Sequence, residues 1–141
     1  MSDAPHGYSG TPLARKLGLK PGMVAVALNA PDHLDDLLGD VAGVRLRVRL
    51  GAHADLVLCF VTERAVLARR AARLREAVAP DGMVWVCWPK RASKVATDVT
   101  EDVVRDVLLP TGLVDVKVAA VDETWSGLKL VRRLIERGPA R

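Results

Sequence analysis

Three apolar runs limit what this chain can become: Met23–Leu28, Asp55–Val61 and Met83–Trp88. Each has the length of a strand, and none shows the alternation of a strand with one wet face. Strands that are apolar on both faces belong in the middle of a parallel sheet covered by helices on both sides. The segments between them supply those helices. From Glu63 to about Ala79, the residues Leu67, Ala71, Leu74 and Val78 fall at helical spacing, with Thr62 placed to cap the helix. Arg64, Arg69, Arg70, Arg73 and Arg75 lie mostly off that face and read as a solvated surface. A second helix follows Thr97, with Val99, Val103, Val104, Val107 and Leu108 on its inner face and Pro110 and Gly112 at its end. Asp98 and Glu101 have the spacing of a capping box at its start. Two shorter helices are expected, one after Thr11-Pro12 that buries Leu13 and Leu17 and stops at Gly18, and one over Leu34–Leu38 ending near Gly39.

The remaining strands are of a different kind. In Val44–Val48 and its flank, Arg45, Arg47 and Arg49 alternate with Val44, Leu46, Val48 and Leu50, the pattern of an edge strand. Its arginine row reads as a solvated edge, with a phosphate-binding stripe as the alternative. Val114–Val121 and Leu128–Arg132 form an antiparallel hairpin whose wide tip is Asp122–Gly127. Pro21-Gly22 and Pro80-Asp81-Gly82 turn the chain into the first and third apolar runs. Strands alternating with helices and closing in a hairpin predict an α/β fold. It is a three-layer sandwich on a Rossmann-like, mostly parallel sheet with a C-terminal antiparallel hairpin. Residues 1–141 make one domain, with a loose tail over 1–10 and a frayed end over 134–141. One link stays open. Few residues join the second and third strands, whereas a parallel crossover usually needs about a dozen or more. The second strand is therefore either very short or antiparallel to its neighbours.

Composition removes several classes. Half of the 141 residues are hydrophobic and 27% are charged, which is globular rather than disordered. A net charge of +4 favours contact with anions without implying nucleic acid. Cys59 and Cys87 sit within apolar runs and read as small buried hydrophobes. The polar start MSDAPHGYSG has no apolar signal region, and no apolar run reaches membrane-spanning length, so the expected location is the cytoplasm. His6, His33 and His53 lack metal-ligand spacing, and neither a metal nor a cofactor is expected. There is no Walker loop. Ser126-Gly127-Leu128-Lys129 spells S-x-x-K but falls in a hairpin strand rather than opening a helix.

Two resemblances follow from particular residues. Leu19-Lys20-Pro21-Gly22 before the first strand, Asp81-Gly82 before the third apolar run and the closing hairpin ending in Leu128–Arg132 resemble a shortened class I methyltransferase fold that uses S-adenosylmethionine. The resemblance implies that fold. It implies a glycine-rich cofactor loop after the first strand, where this chain has Asn29-Ala30-Pro31, and an acidic ribose-holding residue after the second, where the segment is largely missing. More closely, five stretches resemble a bacterial family known as domain of unknown function 3052. They are Ser9-Gly10-Thr11-Pro12-Leu13, Leu28-Asn29-Ala30-Pro31, Trp88-Pro89-Lys90, Ala96-Thr97-Asp98 and Asp122-Glu123-Thr124-Trp125-Ser126-Gly127-Leu128-Lys129. That family implies no reaction, substrate or cofactor.

In open α/β sheets ligands bind outside the carboxyl ends of the strands. That rim is expected to gather Asn29, Pro31, Thr62, Trp88, Pro89 and Lys90, with Lys94, Thr97 and Asp98 from the following loop and Glu123, Thr124 and Trp125 from the hairpin tip. Aromatic walls with a few convergent polar groups suit a small ligand, and Lys90, Lys94 and a helix end near Thr97–Val99 suit an anion. Three functions are compatible with this. The first is a non-catalytic domain, regulatory or binding a small anionic ligand, on a truncated methyltransferase-like scaffold. The second is an enzyme acting on an anionic small substrate through Glu123 with Lys90 or Asn29. The third is a nucleic-acid-binding module using Arg45, Arg47, Arg49, Lys90, Arg91 and Lys94. Homodimerisation through an exposed edge is a further option.

Overall fold

The computed structural model describes residues 12–39, 43–51 and 53–133. Thr11 and the predicted tail and frayed end lie outside these residues. Six strands form one sheet: β1 (Val24–Leu28), β2 (Arg45–Arg47), β3 (Ala54–Phe60), β4 (Val78–Pro89), β5 (Leu113–Ala120) and β6 (Trp125–Arg132). Their spatial order is β2-β1-β3-β4-β6-β5. The first four run parallel, and β6 is antiparallel to both β4 and β5. Among the described residues four α-helices flank the sheet: α1 (Leu13–Leu17), α2 (Leu34–Leu38), α3 (Arg64–Ala77) and α4 (Glu101–Leu108). None of them is long and apolar enough to cross a membrane. The predicted mixed α/β sandwich is the fold observed.

Alternation within the apolar strands builds two cores. On one face Val26, Leu28, Val57, Cys59, Val84, Val86 and Trp88 pack under Leu67, Ala71 and Leu74 of α3 and Val104 and Leu108 of α4. On the other, Ala25, Ala27, Leu56, Leu58, Phe60, Trp85 and Cys87 pack under Leu13 and Leu17 of α1 and Leu34 and Leu38 of α2. The buried Trp85 indole N–H donates to the Leu17 carbonyl at 2.9 Å. It thereby satisfies one of the acceptors that the end of α1 leaves open. Gly18, at φ 91°, closes that helix.

The short link between β2 and β3 is resolved by the length of β2. It is three residues, fully exposed, parallel to β1 and paired only with its amino-terminal half, Val24–Val26. The return to Ala54 therefore rises about 10 Å and crosses two strand spacings of about 4.8 Å. Six extended residues reach about 20 Å, so no helix is needed. Leu50 in this return packs against the α3-side core.

Three local expectations are corrected. β4 begins at Val78, directly after α3, and Pro80-Asp81-Gly82 is a bulge within it rather than a turn before it: Ala54 pairs with Val78 and Leu56 with Met83. Gly82 is required there, because a Cβ would lie 2.7 Å from the Asp55 carbonyl oxygen. Second, α4 starts two residues later than predicted. Its cap is Thr100, whose Oγ1 accepts the Val103 N–H at 3.2 Å, so the Asp98–Glu101 capping box does not form. Third, Trp125, Ser126 and Gly127 belong to β6, which shortens the hairpin tip to residues 121–124. The buried Asp122 makes the tight tip: its Oδ1 accepts the N–H groups of Thr124 at 2.8 Å and Trp125 at 2.7 Å.

Candidate functional site

The carboxyl ends of β1, β3 and β4 open on one rim. Because β5 runs parallel to β4, the β5–β6 tip reaches the same rim, as expected. Several of the predicted residues hold its loops together. Thr97 Oγ1 donates to the Thr62 carbonyl at 2.6 Å and accepts the Val99 N–H at 3.0 Å. Asp98 Oδ1 accepts the Arg64 N–H at 2.7 Å. It therefore satisfies the start of α3 rather than α4, and it also takes the capping role expected of Thr62. The Lys90 N–H donates to the Thr124 carbonyl at 2.7 Å, and Pro89 pairs with Trp125.

The two indoles do not form one wall. Trp88 is buried in the α3–α4 core. Trp125 lies on the opposite face, edge-on to Phe60 with ring centroids 5.1 Å apart. A cleft of about 440 Å³ on the Trp88 side is lined by Pro89, Arg91, Lys94, Thr97 and Thr100. Glu101 and Asp102 already supply negative charge to the first turn of α4, which weakens that helix end as an anion site. Glu123 lines a smaller cleft with His33 and Asp122, and Asn29 lines two others at the end of β1; Lys90 lines none of these.

Two features escaped the sequence reading. The first is a His33–Asp122 pair, with Nε2 and Oδ2 2.7 Å apart. A carboxylate only accepts, so Nε2 carries the hydrogen of this bond. Burial works against the Asp122 anion, but hydrogen bonds from His33, Trp125 and Thr124 outweigh it and hold its carboxyl below the usual value. No local pattern announces a pair 89 positions apart.

The second is a cleft of about 580 Å³ at the carboxyl end of β1, lined by Leu28, Asn29, Val48, Arg49, Leu50, Arg69, Arg70 and Arg73. The helix-free return from β2 leaves this part of the sheet without a covering helix, so arginines of α3 face Arg49 across it. None of these four arginines has a carboxylate partner among the described residues. By contrast, Arg64 pairs with Asp106, and Arg105 with Glu101, Asp102 and Asp115. Arg69 and Arg73 are four apart on one helix, and such like-charge neighbours cost about 0.2–0.5 kcal/mol. The visible signal was the spacing of Arg69, Arg70 and Arg73. What could not be read was that the edge strand would bring Arg49 opposite them.

Cys59 and Cys87 are free and fully buried on opposite faces of the sheet. Burial pushes the Cys59 thiol up to about 11 against the opposing charge of Arg70. Burial, with Cys59 and Asp122 nearby, raises Cys87 well above its ordinary value. Neither is a nucleophile at neutral pH. Among the described residues no three His, Cys, Asp or Glu side chains cluster as a metal site would require.

No protein-family model matches the chain, and no curated protein matches it in sequence. Solved structures do resemble it in fold. Magnesium protoporphyrin IX methyltransferase from Synechocystis with bound SAM is 12% identical, with a TM-score of 0.57 over 86% of this chain and 74% of that one. A SAM-dependent methyltransferase from Aquifex aeolicus is 14% identical, with a TM-score of 0.57 over 84% and 86%. An O-methyltransferase family 2 protein from Planctomyces limnophilus, in complex with apigenin, is 10% identical, with a TM-score of 0.59 over 80% of this chain and 50% of its own. The chain has a Rossmann-like, methyltransferase-like fold.

The residues at the end of β1 do not fit S-adenosylmethionine. Asn29 takes a positive φ of 54° and carries a side chain where that fold's loop has glycine, and Pro31 has no N–H to offer. Asp35 and Asp36 stand in the first turn of α2, where their charge would disfavour a carboxylate such as that of the cofactor's amino-acid end. The end of β2 presents Arg47 and Arg49 rather than a carboxylate for the ribose.

Proposed function

We propose that this chain is a non-catalytic domain, one that binds a small anionic ligand or is regulatory, on a methyltransferase-like scaffold that no longer takes S-adenosylmethionine. The observation that carries this reading is the cleft beside β1, whose four arginines lack carboxylate partners among the described residues. It lies outside the carboxyl end of β1, where the chain diverges to β2 on one side and β3 on the other, the usual place for ligands in open α/β sheets. The cleft with Arg91 and Lys94 at the end of β4 adds a second cationic surface on the rim where the sequence located a site. We also assign the chain to the domain of unknown function 3052 family and to the cytoplasm. The five stretches quoted above support the family. The buried, unbridged cysteines are compatible with a reducing compartment.

A thermal-shift screen of the purified chain tests the reading, with nucleotides, sugar phosphates, small carboxylates and S-adenosyl compounds as probes. A ligand at a hundred times its Kd adds about 2.7 kcal/mol, an easily measured rise in Tm. Stabilisation by anions, none by S-adenosyl compounds, and loss of the effect in Arg70→Ala is the expected pattern. Stabilisation by micromolar S-adenosylmethionine would overturn the reading and return the chain to the methyltransferases.

A further inference from the structure

We infer that the arginine cleft is a site for a polyphosphorylated small molecule, of the nucleoside di- or triphosphate class. This rests on the anion-binding reading and narrows it to one chemistry and one place. The cleft's volume of about 580 Å³ falls within the range of about 300–1,000 Å³ typical of small-molecule sites. Its cations come from two directions, Arg49 from the return after β2 and Arg69, Arg70 and Arg73 from α3. A chain of two or three phosphates offers cations on both walls more oxygens than a single carboxylate or monophosphate does, and guanidinium forks match phosphate oxygens two at a time. Arg70 is half-buried whereas Arg49, Arg69 and Arg73 are exposed, so Arg70 is the innermost of the four cations.

The floor is apolar. Leu28 is buried and Leu50 half-buried, while Val48 is 74% exposed and its methyl groups are open to contact. A flat, weakly polar body joined to the phosphates covers this floor, and Asn29 at the rim end of the cleft supplies an amide for its polar edge. A nucleic-acid strand fits less well. Binding of single strands uses exposed aromatic platforms, whereas Trp85 and Trp88 are buried and Trp125 is on the other face of the sheet.

Isothermal titration of the full chain with inorganic tripolyphosphate, adenosine triphosphate, inorganic phosphate and citrate tests the inference. Arg70→Ala, Arg73→Ala, Val48→Ser and, as a cation exposed at the opposite end of the sheet, Lys20→Ala serve as variants, each checked for an unchanged circular dichroism spectrum. We expect tripolyphosphate to bind more tightly than phosphate or citrate, and adenosine triphosphate more tightly still. Each arginine variant should weaken both by about tenfold or more. Val48→Ser should reduce only the advantage of adenosine triphosphate over tripolyphosphate, and Lys20→Ala should change nothing. If citrate or phosphate binds as well as tripolyphosphate, the inference fails while the anion-binding reading stands. Binding of tripolyphosphate that ignores Arg70→Ala and Arg73→Ala refutes the location. Tighter binding of a single-stranded oligonucleotide than of adenosine triphosphate refutes the ligand class. If no anion binds, both the inference and the broader reading fall.

Discussion

Replacing Asp122 by alanine separates the two jobs of one buried carboxylate. Asp122 is 6% exposed. One oxygen accepts the Thr124 and Trp125 N–H groups, and the other accepts the His33 Nε2–H. The His33 side chain is 49% exposed, so its share is that of a screened pair, about 0.5–1 kcal/mol. The tip N–H groups are more costly to abandon, because two part-buried backbone donors lose a charged acceptor together. We therefore expect Asp122→Ala to cost about 3 kcal/mol and His33→Ala no more than about 1. For a domain of this length, 3 kcal/mol is about 10 °C in Tm. The pH dependence has a definite sign. Because the folded carboxyl is held below its ordinary value, its ionised contribution is complete above the unfolded-state pKa, about 3.9. It is lost as pH falls through the folded value. Urea unfolding followed by circular dichroism at pH 7 and at steps below pH 4 reads both effects. Equal losses for His33→Ala and Asp122→Ala would refute the argument that the tip, rather than the bond to His33, carries the energy. So would a gap between wild type and Asp122→Ala that widens on acidification.

Trp85→Phe keeps most of the ring but leaves the buried Leu17 carbonyl without its indole donor. A loss of about 1–3 kcal/mol in chemical denaturation is expected, and an unchanged midpoint would show that water replaces the bond. Cys59 and Cys87, on opposite faces of the sheet, cannot bridge without unfolding. A thiol reagent such as dithionitrobenzoate should modify both only in denaturant and neither within minutes in buffer, and rapid reaction of the native chain would contradict their burial.

The core was legible because its strands are buried on both faces: Leu56–Phe60 and Val84–Trp88 carry apolar side chains at every position, a pattern few structures other than a covered parallel sheet satisfy. Element ends were less so. Asp98 has the spacing of a cap for α4, yet its carboxylate turns to α3, because the loop after β3 places the Arg64 N–H within 2.7 Å. That is a tertiary preference overriding a local one. Asp-Glu-Thr before Trp125 reads as turn, which puts Trp125 in a loop tip by sequence alone. The side chain of Asp122 in fact closes the turn in four residues, freeing Trp125 to pair with Pro89. Strand direction alone predicts which strand ends share a rim, and the sheet gathers the ends of β1, β3 and β4 with the β5–β6 tip. Which residues of it are open and which are joined to one another depends on hydrogen bonds such as Thr97 to Thr62 and Lys90 to Thr124. Such bonds leave no periodic trace. The arginine cleft shows the same limit, since its two walls come from segments that sequence spacing treats as unrelated.

The brevity of β2 bears on how the protein behaves in a crowd. An open sheet ends in two strands whose outer amides and carbonyls are unpaired, and each is a template on which another chain can add. On the β2 side that template is only three residues long, and Arg45 and Arg47 stand on it, exposed. Approaching copies meet repulsion before they meet backbone. The β5 edge is longer, but a register shift between Asp115 and Lys117 interrupts it, and Val116 and Val118 are exposed along it. Self-association of this protein, when concentrated or partly unfolded, should therefore begin along β5, with the arginine-guarded edge the last to join.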